Sequence, residues 1–104
     1  MRTVMDASDL DPALKGRRAV VLFHATWCPF CRRFKPTFDE VASGQRAWEP
    51  MEVLLEEDEN PLWERFGIEV VPTVLFFDDG KLVRRIDGEA GVGLEASDLR
   101  PALR

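Results

Sequence analysis

The sequence predicts an α/β fold in which a central mixed β-sheet of four to five strands carries helices on both faces, and three observations lead there. Ala19-Val20-Val21-Leu22-Phe23 is a continuous apolar run of strand length, rich in β-branched residues, as befits a strand buried on both faces. From Pro29 to about Ser43, apolar residues recur at Phe34, Phe38, Val41 and Ala42, the spacing of an amphipathic helix that Gly44 ends. Thr73 to Phe77 and Leu82 to Ile86 flank Asp78-Asp79-Gly80-Lys81, a tight turn that makes the two runs an antiparallel hairpin.

The remaining elements fill in around these. A short strand at Thr3 to Met5 and a helix near Leu10 to Lys15 precede the buried strand. Pro36 lies inside the main helix and should kink it, because a proline has no amide for the helical ladder. Met51 to Leu55 reads as a further strand. Asn60 to Phe66 reads as a short helix, capped by Asn60, with Pro61 in its first turn and Gly67 beyond its end. Ser97 could cap a last helix through Leu99 and Leu103, although Pro101 falls where an interior amide is wanted. Strand-helix-strand crossovers followed by a terminal hairpin require a mixed sheet with helices on both faces.

Size and charge set limits on function. The 104 residues, 45% of them hydrophobic, suffice for one core, so residues 1–104 are expected to form a single domain. The longest apolar stretches, Ala19 to Phe23 and Val70 to Phe77, fall well short of the roughly 20 residues of a membrane span. Met1 to Asp6 lacks the apolar centre of a secretory signal, which points to a cytoplasmic setting. The net charge of -5, with acid concentrated between Glu49 and Glu64, makes nucleic acid a poor partner. The pairs Arg17-Arg18, Arg32-Arg33 and Arg84-Arg85 read as solvated surface or as part of a docking surface. Nothing suggests a dimer, so a monomer is expected.

The chemistry rests on Cys28 and Cys31, the only two cysteines. Cys28 falls where the buried strand gives way to the main helix, and Cys31 falls one turn into it. Unpaired amides and the partial positive charge of a helix start stabilise a thiolate, so Cys28 is the expected attacking group. Cys31 is near enough to displace a mixed disulfide from Cys28, which would make the pair a reversible two-electron couple. Pro29 has no amide to waste at the first helical position and fixes the turn that exposes Cys28. Other readings stand beside this one. A structural disulfide over so short a loop would restrict the unfolded chain little. Zinc wants four ligands, and two Cys with the lone His24 fall short in one chain, so neither a metal nor another cofactor is expected. Two inert buried thiols are the third possibility.

Trp27-Cys28-Pro29-Phe30-Cys31 after the strand Val20 to Phe23, Pro36, Phe66-Gly67-Ile68, Val71-Pro72-Thr73 before the next strand, Asp79-Gly80 and Gly88 after the last strand together resemble a thioredoxin over nearly the whole chain. The resemblance implies the thioredoxin fold and a thiol-disulfide oxidoreductase that reduces protein disulfides, with Cys28 attacking and Cys31 resolving. It also implies that Trp27, Val70, Val71, Pro72 and Gly88 line the substrate groove, that Pro72 is cis beside the cysteines, and that the backbone of Val71 pairs with an extended substrate. Taken alone, Val71-Pro72 is an X-Pro bond, of which about 5–6% are cis. An upstream reductase resembling thioredoxin reductase, or glutathione, would return the electrons.

The sequence also departs from the family pattern. Pro29-Phe30 between the cysteines is reminiscent of glutaredoxins, which keeps a glutathione-dependent reductase as an alternative. A non-catalytic module that binds a peptide, or bridges a metal between two chains, is the alternative from another class. Leu22 and Leu54 stand where thioredoxins bury an aspartate and a lysine, so water or a substitute side chain must help deprotonate Cys31. His24, four residues before Cys28, is the candidate proton relay. Trp27 would cover the dithiol, and Phe30, pushed outward, would contact the partner. Trp48 and Trp63 read as packing residues. Charge from Arg32 and Lys35 could lower the pKa of Cys28, though solvation would weaken the effect.

Overall fold

The computed structural model describes residues 1–104. Strand β1 (Arg2–Val4) leads through a 3-10 turn at Ala7–Asp9 to helix α1 (Leu10–Leu14). Then follow β2 (Arg18–His24), α2 (Pro29–Ser43), β3 (Glu49–Leu54), α3 (Leu62–Arg65), β4 (Thr73–Asp78), β5 (Lys81–Ile86) and α4 (Ala96–Ala102). The five strands form one sheet in the order β1-β3-β2-β4-β5. The pairs β1–β3 and β3–β2 are parallel, whereas β2–β4 and β4–β5 are antiparallel. The sheet is thus mixed, as the two crossovers and the terminal hairpin demanded.

Alternation along β2 sorts the core into two halves. Ala19, Val21 and Phe23 point to one face, where they meet Leu10, Ala13 and Leu14 of α1 and Leu62 of α3. Val20 and Leu22 point to the other, against Phe34, Phe38, Val41 and Ala42 of α2 and Leu99 of α4. A strand with apolar contacts on both faces has no solvated side, which is why the run carries no polar residue before His24. Full burial of each large apolar side chain contributes about 1.5–3 kcal/mol. That contribution sets β2 as the fixed centre from which the cysteine turn departs.

Helix α2 spans Pro29–Ser43 with Gly44 at its C-terminal cap, and it continues through Pro36. The turn between β4 and β5 puts Asp79 at φ 51, and the Asp79 carboxylate accepts the Gly16 amide at 2.6 Å, tying the hairpin to the start of β2. The cap of α3 is Pro61 and not Asn60; Asn60 stands one residue earlier, where its Oδ1 accepts the Leu62 amide at 2.9 Å, and the helix is shorter than its sequence pattern suggested. The last helix corrects the sequence reading. Ser97 lies inside α4 and not at its cap, which is Glu95. Glu95 takes the cap position expected of serine, and the Asp98 carboxylate reaches back to accept the Glu95 amide at 2.9 Å, the reciprocal bond of a capping box. Pro101 sits in the final turn of α4.

Trp48, 2% exposed, closes the pole of the sheet opposite the cysteines. Its ring meets Phe76 edge-on at 5.0 Å, and the Arg18 and Arg84 guanidinium groups lie 4.1 and 5.4 Å from the ring centroid. Arg84 also donates to the carbonyls of Ala102 and Arg104 at 2.6 and 2.8 Å, joining the end of α4 to β5. Replacing a buried aromatic of this kind by alanine costs about 3–5 kcal/mol. Denaturant unfolding of Trp48→Ala should show a loss of that size, and a loss below about 1 kcal/mol would contradict the packing role.

Candidate dithiol site

Cys28 occupies the N-cap of α2, where its extended backbone (φ -97°, ψ 115°) carries the chain from β2 into the helix. Its Sγ accepts the Cys31 amide at 3.3 Å, the bond an N-cap side chain makes to the third residue of a helix. The same sulfur lies 3.5 Å from the Val71 carbonyl and can donate its S–H there. Both cysteines are free thiols and buried, Cys31 completely and Cys28 with 5% of its surface exposed. Pro29 is exposed at the first helical position. One sulfur therefore stands at the surface of the motif with the second beneath it, the arrangement an attacking and a resolving thiol need.

Burial raises the Cys31 thiol first, and the hydrogen-bonded Cys28 sulfur and the Glu56 charge raise it further, against a lowering bond from Ala25, so its pKa is pushed up to about 12. A thiol held this way stays protonated until a base takes its proton.

The wall opposite the helix is the turn before β4. The Val71-Pro72 peptide is cis, and both residues are buried. Thr73 Oγ1 accepts the Gly88 amide at 3.2 Å and donates to the Val70 carbonyl at 2.7 Å, drawing the end of β5 onto this turn. A Cβ added at Gly88 would lie 2.1 Å from the Pro72 carbonyl oxygen, so no other residue fits there without backbone movement. Val70 is half-buried and lines a shallow depression of about 360 Å³ with Gly88 and Phe66. The largest groove of the molecule, about 830 Å³, lies elsewhere, between the Met5–Ser8 turn and α3, and includes neither cysteine.

Glu56 is the site residue that sequence reasoning missed. Its carboxylate accepts the Thr26 amide at 2.7 Å and the Thr26 hydroxyl at 2.5 Å, and its carbonyl accepts the Trp27 indole N–H at 3.1 Å. Those three bonds fasten the two residues before Cys28 to the end of β3. The Thr26 hydroxyl and amide hold the Glu56 carboxyl below the usual range, and His24 adds to the effect by its charge. In the sequence Glu56 was one acid in an acidic run, with no local pattern to single it out. Trp27 is 54% exposed, which excludes a core role, and the Glu56 bond holds its ring at the rim.

Other charged candidates are bound differently from the sequence-based expectation. His24 is 7% exposed, and its Nε2 lies 3.0 Å from Glu52 Oε1, while neither sulfur bonds to it. Glu52 also meets Lys35 at 3.3 Å, and Lys35 meets Asp39 at 2.6 Å. Burial works to lower the Lys35 pKa, but the two carboxylates outweigh it and hold the ammonium above its usual range. Lys35 thus spends its charge on α2 and β3 instead of on Cys28. Arg32 is exposed. Phe30 is half-buried beside Gly93, with the Arg33 guanidinium 5.4 Å from its ring, so it leans on its own chain more than it projects outward.

With this geometry in view, residues 3–97 match the family model described as thioredoxin. The chain belongs to the thioredoxin family. Thioredoxin from Mycobacterium tuberculosis is 36% identical over 105 residues, covering 96% of this chain and 90% of that protein. A bifunctional thioredoxin reductase/thioredoxin from Mycobacterium leprae is 36% identical over 98 residues, which span 92% of this chain and 21% of that longer protein. The solved structure of Fasciola hepatica thioredoxin superposes with a TM-score of 0.79 at 31% identity, covering 99% of this chain and 96% of that one. The thioredoxin-family dithiol of Cys28 and Cys31 makes the chain a disulfide oxidoreductase.

The raised Cys31 pKa has a measurable consequence. Unfolded chain releases this proton near pH 9 while folded chain keeps it to about 12, so the stability it contributes is complete below pH 9 and is lost as pH rises towards 12. The stability of the reduced protein relative to Cys31→Ser should therefore fall across that window, by at most about 1.4 kcal/mol per pH unit. Thiolate absorbance near 240 nm should likewise show the Cys31 step only at the alkaline end, and a Cys31 step below pH 9 would contradict the assignment.

Proposed function

We propose that the chain reduces protein disulfides, with Cys28 as the attacking and Cys31 as the resolving group. The observation that carries the reading is the placement of the Cys28 sulfur at the start of α2, 3.3 Å from the Cys31 amide and 3.5 Å from the Val71 carbonyl. In the first step the Cys28 thiolate attacks one sulfur of the substrate disulfide, an S–S bond forms between chain and substrate, and the other substrate sulfur leaves as a thiolate. In the second, Cys31 loses its proton and attacks the Cys28 sulfur. The mixed disulfide breaks, the second substrate thiol leaves, and a Cys28–Cys31 disulfide remains. Two electrons pass to the substrate, and two protons complete its thiols.

The helix start favours the first step, since its amides and partial positive charge face the Cys28 sulfur and stabilise the attacking thiolate. Removing the Cys31 proton needs a base, because burial holds that proton tightly. Leu22 is packed in the apolar core, so its position supplies none. Glu56 and His24 are the groups whose charges reach this region, Glu56 acting on Cys31 and His24 on Glu56. His24 is the outer member of this relay. Trp27, Val70, Val71, Pro72 and Gly88 form the substrate groove, in which the Val71 backbone pairs with an extended partner segment.

Regeneration falls to a reductase acting on the Cys28–Cys31 disulfide, a reading supported by the relative in which thioredoxin reductase and thioredoxin share one chain. Glutathione is the alternative donor. The chain acts as a monomeric single domain in the cytoplasm. No helix is long and apolar enough to cross a membrane.

Trapping distinguishes the two thiols. Cys31→Ser should accumulate a mixed disulfide with an oxidised protein substrate such as insulin, while Cys28→Ser should form none and lose reductase turnover by about 10³-fold or more. Equal trapping by both variants would remove the assigned roles. His24→Ala should lower turnover several-fold at pH 7 and displace the pH profile; an unchanged rate there would end the relay assignment.

A further inference from the structure

We propose, on the strength of the disulfide-reductase reading, that the groove between the Met5–Ser8 turn and α3 is a second docking site. It takes a cationic segment with aliphatic side chains from the protein whose disulfide is being reduced. The groove holds about 830 Å³, and its surface is mostly apolar. Leu62, 1% exposed, forms its floor, with Ala7 contributed by one wall and Pro61 by the other. Met5 also lines it and keeps 65% of its surface in water, more than any other large apolar side chain of the molecule. Cavities for small molecules enclose most of the ligand, whereas this groove is open to solvent. An occupant must bring surface of its own, as a polypeptide segment does.

Charge decides what kind of segment fits. Asp6, Glu57 and Glu59 line the groove, and none of the three forms an ion pair within the chain. The one basic residue there, Arg65, is already matched by Asp11 through two bonds of 2.8 and 3.1 Å. Asp6 accepts the Ser8 amide and hydroxyl at 3.0 Å each, which holds its carboxyl below the usual range, so it is charged at neutral pH. Three uncompensated acids around an apolar floor attract Arg or Lys with aliphatic neighbours and repel an acidic segment. The long stems of Arg and Lys add apolar contact of their own.

Both walls are fixed before a partner arrives. On one side the Asp9 amide donates to the Asp6 carbonyl at 3.0 Å, and on the other Trp63 Nε1 donates to the Glu57 carbonyl at 3.0 Å. A surface held this way loses little entropy on binding. The groove also borders the approach to the dithiol, since Glu56 holds Thr26 and the Trp27 indole while the next residue, Glu57, lines the groove. A partner with its disulfide at Cys28 can lay a neighbouring segment there. Disulfide exchange then proceeds within one complex, at an effective concentration set by the length of chain between the two contacts.

One peptide disulfide tests this when joined by a flexible linker to a segment of alternating Arg and Leu, of alternating Glu and Leu, or of Ser and Gly. With dithiothreitol as donor, wild type should show a KM for the Arg-Leu substrate about 5-fold or more below that for the Ser-Gly substrate, and no gain for Glu-Leu. An exposed charge contributes up to about 5-fold, so Glu57→Gln combined with Glu59→Gln should bring that ratio close to 1. Met5→Ser should lower it as well. The free Arg-Leu segment, added to isotope-labelled protein, should shift the amide resonances of Met5–Ser8 and Glu57–Leu62. Equal KM for the Arg-Leu and Ser-Gly substrates, a ratio unchanged in the double variant, or shifts confined to Trp27 and the Val71-Pro72 turn overturns the proposal. A concentration-dependent dimer that Met5→Ser disrupts also overturns it, by assigning the groove to a second copy of the chain. Failure of wild type to reduce any of the three substrates, while the Arg-Leu segment still shifts the groove amides, strikes instead at the reductase reading on which the proposal rests.

Discussion

Cys28 is held by a close approach of backbone to backbone. The Thr73 hydroxyl draws Gly88 onto the Val71-Pro72 turn, and the absence of a side chain at Gly88 lets the end of β5 lie against the Pro72 carbonyl. This brings the Val71 carbonyl to the Cys28 sulfur, while the start of α2 presents the Cys31 amide from the other side. Each partner comes from a different element: β2 and α2 deliver the cysteines, β4 begins at the proline turn, and Gly88 follows the end of β5. Antiparallel pairing of β4 with both β2 and β5 fixes their separation. The sheet order is therefore the condition for the site, because moving β4 from beside β2 would remove the wall against which Cys28 packs.

Charge is distributed differently from what the thioredoxin pattern implied. Leu22 belongs to the apolar core under α2, and Leu54 pairs in register with His24. The polar groups nearby are His24, Glu52, Lys35 and Asp39, joined across β2, β3 and α2 by contacts of 2.6–3.3 Å. Breaking such a chain at one member leaves a partly buried charge unpaired, so its members are expected to depend on one another energetically. Glu56 stands apart from this chain and serves the loop before Cys28. Its carboxylate and carbonyl occupy three donors there, which leaves that approach with little freedom.

Much of the fold was legible in the sequence, for reasons that differ between elements. The β2 run and the α2 pattern are long and strongly periodic, so α2 emerges with the predicted bounds and β2 within one residue at each end. The final helix was harder. Its cap is a reciprocal arrangement of Glu95 and Asp98, and a serine beside them drew the reading two residues too far along. Within the site, the cysteine spacing, Pro72 and Gly88 carried a local or family signature. Glu56, the pairing of Lys35 with Glu52 and the support of Phe30 by Gly93 did not, because each depends on residues distant in the chain that meet only when the sheet assembles. A single sequence holds no record of such meetings in its local pattern.

The most direct test of the account is the equilibrium of the Cys28–Cys31 pair in buffers of defined thiol potential, with thiol trapping and intact mass to count the free cysteines. The geometry calls for one reversible two-electron transition between a species with two free thiols and one with none, the oxidised form lighter by two hydrogens and free of adducts. Accumulation of a stable one-thiol adduct at Cys28, or thiols unchanged across the range, would contradict the assignment of Cys31 as the resolving group and with it the redox role of the site.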